Sequence, residues 1–164
     1  MADRLFNVLF LCTHNSARSV MAEALLNTIG SGRFHAFSAG SMPSGRVNPF
    51  ATEMARMIGY LTENLRSKSW NEFANPGAPH MDIIITVCDN AAGEVCPIWP
   101  GHPATAHWGF PDPSAVEGSD DEKRKAFDKV FHAIRRRIDL LVNLPVEKLE
   151  HLALGHELKR IAAA

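Results

Sequence analysis

The sequence has no long apolar run, no surplus of one charge and no even set of cysteines. Its apolar N-terminal run, residues 5–11, is too short to cross a bilayer, and no small-residue cleavage pattern follows it. We therefore expect a cytoplasmic chain without a membrane anchor or signal peptide. A net charge of −1 argues against nucleic acid or acidic membranes as partners. Three cysteines fit reduced thiols with chemical roles better than the paired disulfides of a secreted domain.

Hydrophobic residues make up 46% of the 164 positions, which is enough for one well-packed domain, and we expect residues 1–164 to form it. Four segments have the apolar, β-branched or aromatic composition of strands, and helical patterns separate them. The predicted strands are residues 4–12, 33–40, 81–88 and 104–110. The third, "MDIIITVC", is the most apolar, which predicts cover on both sheet faces. This alternation predicts an α/β fold, with a parallel sheet and helices on both faces.

The predicted helices carry recognisable end signals. Asn48 and Pro49 mark the start of one helix, and Ser119 and Glu122 have capping-box spacing before a long helix that Pro145 ends. Three consecutive arginines in that long helix, residues 135–137, are interpreted as a solvated face. The first helix has an apolar stripe formed by Val20, Met21, Ala24, Leu25 and Ile29.

Three reactive side chains follow the predicted strands at their carboxyl ends. Cys12 ends the first strand, Cys88 ends the third, and Asp112 closely follows the fourth. Parallel strands present these ends at one edge of the sheet, where ligands usually bind. We therefore expect two thiols and a carboxylate to converge there. Alone, such a cysteine would be read as a small buried hydrophobe, and Asp112 beside Pro113 as a turn residue.

The segment from Cys12 to Arg18 has the spacing C-x5-R between a strand and a helix. A short loop of this kind turns backbone amides and a helix N-terminus toward a bound anion. Arg18 can donate to two oxygens of that anion at once, and the same positive field favours the Cys12 thiolate. A thiolate beneath a tetrahedral oxyanion is placed for in-line attack on its central atom, so the pattern predicts nucleophilic catalysis.

Three segments together resemble the low-molecular-weight tyrosine phosphatase fold, and more narrowly the arsenate reductases built on it. They are "VLFLCTHNSARSVMAEALLN", "ITVCDNAAGEVCPIWPG" and "HWGFPDPS", and the resemblance covers residues 6–144. It implies a three-layer α/β/α domain with a four-stranded parallel sheet. It also implies Cys12 as nucleophile, Arg18 as oxyanion clamp and Asp112 as general acid, with Asn15 and Ser19 orienting the loop. The implied oxyanion-binding residues are Thr13, His14, Asn15, Ser16, Ala17, Arg18 and Ser19.

The resemblance also implies roles for the other two thiols. Cys88 would attack the arsenylated Cys12 and release arsenite, and Cys96 would carry the resulting disulfide outward. The expected substrate is arsenate, with an external thiol reductant, either thioredoxin or glutathione with glutaredoxin, and without a tightly bound cofactor or a metal. If residues 88–96 were helical, the two Cα atoms would lie about 12 Å apart. A disulfide allows roughly 7 Å, so the segment would have to bend or unwind.

Two other functions stay open at this point. The chain could be a low-molecular-weight phosphatase whose accessory thiols protect Cys12 from oxidation. Against this, residues 114–115 are serine and alanine where the phosphatases carry a tyrosine soon after Asp-Pro, and Tyr60 lies elsewhere. A metal-binding module is the second alternative, although the spacing of its ligands matches no tight zinc pattern. Those ligands would be Cys88, Cys96, His102 and His107.

The chain departs from the resemblance in two further respects. The gap between Cys88 and Cys96 is one residue longer than in the thioredoxin-coupled members, which leaves the reductant open. Asn15, Glu23 and Ser38 resemble three ligands of a monovalent cation site found in some members. No aspartate matches the fourth ligand near "SKSWNEF", so a cation site is not predicted.

Overall fold

A computed structural model describes residues 5–87, 103–146 and 151–163. The described residues form a four-stranded parallel sheet, as predicted, with the spatial order β2-β1-β3-β4. Its strands are β1 (Phe6–Cys12), β2 (Phe34–Gly40), β3 (Ile83–Thr86) and β4 (Ala104–His107). Because β2 and β3 flank β1 on opposite sides, the strand order reverses direction at β1.

The described helices are α1 (Arg18–Ile29), α2 (Pro49–Met57), α3 (Asn71–Ala74), α4 (Asp120–Val142) and α5 (His151–Ala162). Asn48 caps α2 by accepting from the Phe50 amide, and Ser119 with Glu122 forms the predicted capping box of α4. Short 3₁₀ turns at Thr62–Asn64 and Pro113–Ala115, and the helix α3, were not predicted. Within the described ranges, none of the helices combines the length and apolar character that crossing a membrane requires.

Both faces of the sheet are covered, which confirms the expectation drawn from the third strand. Ile83 and Ile85 belong to the larger core cluster, which also contains side chains of α1, α2, α4 and α5. Ile84 points the other way, into a smaller cluster with Trp70 and Phe73 around α3. This alternation follows from the two-residue period of a strand. The result is three layers, with the thinner helical layer on the α3 side.

Helix α1 differs from the single apolar stripe expected of it. All residues from Ser19 to Leu26 are buried. The helix contacts β1, β2, α2 and α4, so several neighbours together cover this stretch. This packing also buries Glu23, a charged residue that must find partners inside the protein.

The fourth strand ends at His107, three residues earlier than predicted. Beyond it, the carbonyl of Gly109 accepts from Arg137 at 3.1 Å, and the carbonyl of Phe110 accepts from Arg18 at 3.0 Å. The Arg137 guanidinium also lies over the Phe110 ring, 4.5 Å from its centroid. The interpretation of residues 135–137 as a solvated face is therefore wrong for Arg137, which holds the segment leading to Asp112.

Candidate active site

The loop between β1 and α1 lies where the strand order reverses, and in open parallel sheets this point forms a crevice for ligands. Its carbonyl groups turn outward. Those of Thr13, His14 and Ser16 accept hydrogen bonds from backbone N–H groups of residues 42–48, at 2.8 to 3.1 Å. A loop whose carbonyls turn outward can direct amides inward at an anion, and the Asn15 N–H of this loop points at the Cys12 sulfur.

Cys12 lies at the base of this loop, and 3% of its surface is exposed. Its Sγ is 2.9 Å from the Ser19 hydroxyl and accepts from the Asn15 backbone N–H at 3.3 Å. Asn15 has a φ of 48°, in the left-handed region that asparagine tolerates, and this turns its N–H toward the sulfur. Hydrogen bonds to a thiolate favour it over the thiol, so the loop is built to hold a charged sulfur.

Gly40, at the end of β2, lets the loop lie against the sheet. A Cβ at this position would be 2.5 Å from the Thr13 carbonyl oxygen and 2.9 Å from that of Cys12. Both contacts are with backbone atoms, which cannot move aside without displacing the loop. A side chain at this position is therefore incompatible with the loop geometry.

Arg18 and Asp112 meet across the crevice. The Arg18 guanidinium lies 3.6 Å from Asp112 Oδ2 and is mostly buried, whereas the carboxylate is 38% exposed. The other oxygen, Oδ1, accepts from the Ser114 amide at 2.9 Å and from the Ser114 hydroxyl at 2.6 Å. Asp112 thus caps the turn with one oxygen and faces Arg18 with the other.

Behind the loop, a buried polar cluster extends from Cys12 to a lysine that sequence reasoning missed. Asn15 Nδ2 donates to Ser19 at 2.8 Å and to Ser38 at 3.0 Å. The Ser38 hydroxyl donates to Glu23 at 2.6 Å, and Lys68 Nζ lies 3.9 Å from the same carboxylate oxygen.

The structure brings together most of the predicted site. The loop residues, Arg18 and Asp112 surround one crevice at the carboxyl ends of the strands. Cys88 and Cys96, with the predicted bend between them, lie outside the described residues, as does His102. Among the residues that are described, no cluster of three metal-ligating side chains occurs.

Comparison with known proteins supports the resemblance drawn from the three motifs. A family model described as low molecular weight phosphotyrosine protein phosphatase matches residues 7–153. An arsenate reductase from Halalkalibacterium halodurans is 37% identical over 131 residues, which are 80% of this chain and 91% of that protein.

Solved structures agree with this assignment. An arsenate reductase from Archaeoglobus fulgidus superposes with a TM-score of 0.65 at 28% identity, covering 84% of this chain and 99% of that one. A thioredoxin-dependent arsenate reductase from Corynebacterium glutamicum superposes with a TM-score of 0.58 at 27% identity, covering 86% of this chain and 65% of that one. Both superpositions show that these proteins share the fold described above.

Proposed function

The chain belongs to the low molecular weight phosphotyrosine protein phosphatase family, and on that premise we propose that it is an arsenate reductase. Arsenate has nearly the shape of phosphate and fits the same cradle of amides and guanidinium. Its As(V) centre can also accept two electrons, which phosphorus in phosphate does not do. The fate of the covalent intermediate on Cys12 therefore separates the two activities.

In the first step, the Cys12 thiolate attacks arsenic, and an As–S bond forms as one As–O bond breaks. The departing oxygen takes a proton from Asp112 and leaves as water. Arg18 and the loop amides hold the remaining oxygens and the charge that develops on them. Ser19 and Asn15, both in contact with the sulfur, stabilise the thiolate before the attack.

In the second step, the Cys88 thiolate attacks the sulfur of Cys12. The S–S bond forms, the As–S electron pair stays on arsenic, and arsenite leaves as As(III). Cys96 then attacks Cys88, which frees the Cys12 thiolate and moves the disulfide to Cys88 and Cys96. An external dithiol of the thioredoxin type is proposed to reduce that disulfide, because one structural neighbour is named thioredoxin-dependent.

One backbone contact carries this proposal. The Val87 amide donates to the Leu11 carbonyl at 2.8 Å. Val87 immediately precedes Cys88, and Leu11 immediately precedes Cys12. The fold therefore brings together the residues that precede the two cysteines, although the cysteines are 76 positions apart in the sequence. A phosphatase resolves its intermediate with water and has no need of a second thiol directly after Val87 in the sequence.

The direct assay is arsenate-dependent oxidation of NADPH, with thioredoxin and glutaredoxin systems supplied separately. The proposal predicts turnover that requires arsenate and one of the two systems, faster with thioredoxin. Weak hydrolysis of small aryl phosphates should accompany it. If aryl phosphates were hydrolysed efficiently and arsenate drew no electrons from either system, the phosphatase with protective thiols would be the better function.

Asp112→Asn tests the proton transfer separately from the fold. Asparagine keeps an oxygen for the Ser114 amide but has no proton to give the departing oxygen, so the first step should slow by about 100-fold. The measurement is rapid-quench formation of arsenite in a single turnover. Asp121→Asn is the matched control, because it makes the same change at an exposed carboxylate on α4. An unchanged single-turnover rate in Asp112→Asn would assign Asp112 to the turn alone.

A further inference from the structure

The buried pair Lys68 and Glu23 lies on the far side of the Cys12 loop from the crevice and takes no part in the steps above. Both side chains are almost fully buried, with 7% of Lys68 and 8% of Glu23 exposed. Lys68 Nζ donates to the Arg66 carbonyl at 2.9 Å and lies 3.5 Å from Asn15 Oδ1, besides its ion pair with Glu23. A buried ion pair is weak evidence for stability, which raises the question of what else it does.

The hydrogen bonds that join this pair to Cys12 have a defined direction. An ionised Glu23 can only accept, so the Ser38 hydroxyl must donate to it, and 2.6 Å is typical of a hydroxyl on a carboxylate. The Ser38 oxygen then accepts one Asn15 Nδ2 hydrogen, and Ser19 accepts the other. With its oxygen already accepting from Asn15, the Ser19 hydroxyl can direct its own hydrogen to the Cys12 sulfur, which lies 2.9 Å away.

Lys68 supports this direction of the hydrogen bonds in two ways. Its backbone N–H donates to Asn15 Oδ1 at 2.9 Å, and its ammonium faces the same oxygen, so both hold the amide with Nδ2 toward the serines. Its charge also opposes protonation of Glu23. The pKa of the Glu23 carboxyl is raised, chiefly by burial, and Lys68 with the hydrogen bonds from Ser38 and Tyr60 limits the rise.

We propose that Lys68 and Glu23 are positioning residues that keep the Ser19 hydroxyl donating to Cys12, so that the sulfur is held as a thiolate. The inference rests on the proposed function only in assigning the Cys12 thiolate a use in catalysis, since the thiolate itself can be measured without arsenate. A neutral Glu23 could donate to Ser38 instead. A flipped Asn15 amide would then attract the Ser19 hydrogen, and the sulfur would lose a donor.

The test is the pH profile of Cys12 alkylation by iodoacetamide, read on the Cys12 peptide by mass spectrometry. Lys68→Met, which keeps the length of the side chain but removes the charge, should raise the midpoint by about one pH unit. At pH values below both midpoints, that shift corresponds to about tenfold slower alkylation. Lys125→Met is the matched control on the exposed surface of α4, and its profile should coincide with that of the unmodified protein.

Two further variants separate an effect on the Cys12 thiolate from a loss of folding. Glu23→Gln combined with Lys68→Met leaves no unpaired buried charge, so it should unfold at a higher temperature than Lys68→Met while keeping the raised midpoint. If Lys68→Met does not fold, this double variant carries the same test. In Lys68→Ala, n-propylammonium should restore the profile through the cavity of about 780 Å³ that Glu23 and Lys68 line. Tetramethylammonium, which has no N–H donor, should not.

If the folded variants and the unmodified protein had coincident alkylation profiles, the inference would be overturned. Lys68 and Glu23 would then have only a structural role. Failure of the proposed function gives a different pattern. In that case the protein would reduce no arsenate, while the alkylation profile of Cys12 would still move with Lys68.

Discussion

Cys12→Ser is expected to lose arsenate reduction by about 10⁴-fold or more, because the reaction cannot begin without the nucleophile. A serine hydroxyl stays protonated at neutral pH, and neither the Ser19 hydroxyl nor the Asn15 amide is a base that could deprotonate it. The Asn15 amide donates to the sulfur of residue 12 and the Ser19 hydroxyl lies 2.9 Å from it, and such contacts stabilise an anion already formed but do not create one. The measurement is arsenite produced per chain in the complete assay with reductant.

Cys96→Ser is the matched control for Cys12→Ser, since it makes the same exchange at another thiol. It should complete one round and then stall with Cys12 bonded to Cys88, because no thiol remains to move the disulfide outward. Circular dichroism on both variants checks that the fold is retained. Arsenate reduction near the unmodified rate in Cys12→Ser would contradict the role given to Cys12.

Arg18→Lys is expected to lower single-turnover reduction by about 100-fold or more, although the charge is retained. The planar guanidinium donates to the Phe110 carbonyl at one nitrogen and faces Asp112 with another, so two contacts with the segment 110–112 hold its plane in place. An ammonium is a point charge that cannot donate to two oxyanion oxygens while keeping these contacts. The segment bearing Asp112 would also lose one of its two arginine supports.

The comparison is with Arg136→Lys, the same exchange at an exposed position on α4. That variant should reduce arsenate at the unmodified rate. Measuring single turnover over a range of arsenate concentrations separates weaker binding from slower chemistry, and Arg18→Lys should impair both. A variant that loses only binding would limit Arg18 to holding the ground state.

The loop could be predicted from the sequence because its determinants are contiguous. A buried strand, the C-x5-R spacing and a helix all lie within residues 6–29, and the fold retains them in that order. Asp112 could be predicted because it closely follows a strand. The segment before it leaves the sheet after His107 and contacts Arg137, which a strand pattern through Phe110 does not reveal.

Lys68 and Glu23 could not be predicted by the same means. The helical pattern of α1 places Glu23 off the apolar stripe, and only the packing of other elements around α1 buries it. Lys68 lies in an irregular segment, and its contacts with Asn15 span 53 residues of sequence. Gly40 joins that segment to β2 through an isolated β-bridge to Ser69, which no local sequence pattern predicts. Such partners become visible only when the chain is folded.

The central claim is that the chain reduces arsenate with its own thiols, and a single turnover without reductant tests it most directly. Fully reduced protein, freed of reducing agent, receives one equivalent of arsenate, and arsenite and disulfides are then quantified together. The account predicts about one arsenite per chain and a disulfide between Cys88 and Cys96. It predicts no arsenite from Cys88→Ser unless an external thiol is added. Arsenite from Cys88→Ser as fast as from the unmodified chain, or no arsenite and no disulfide from the unmodified chain, would contradict it.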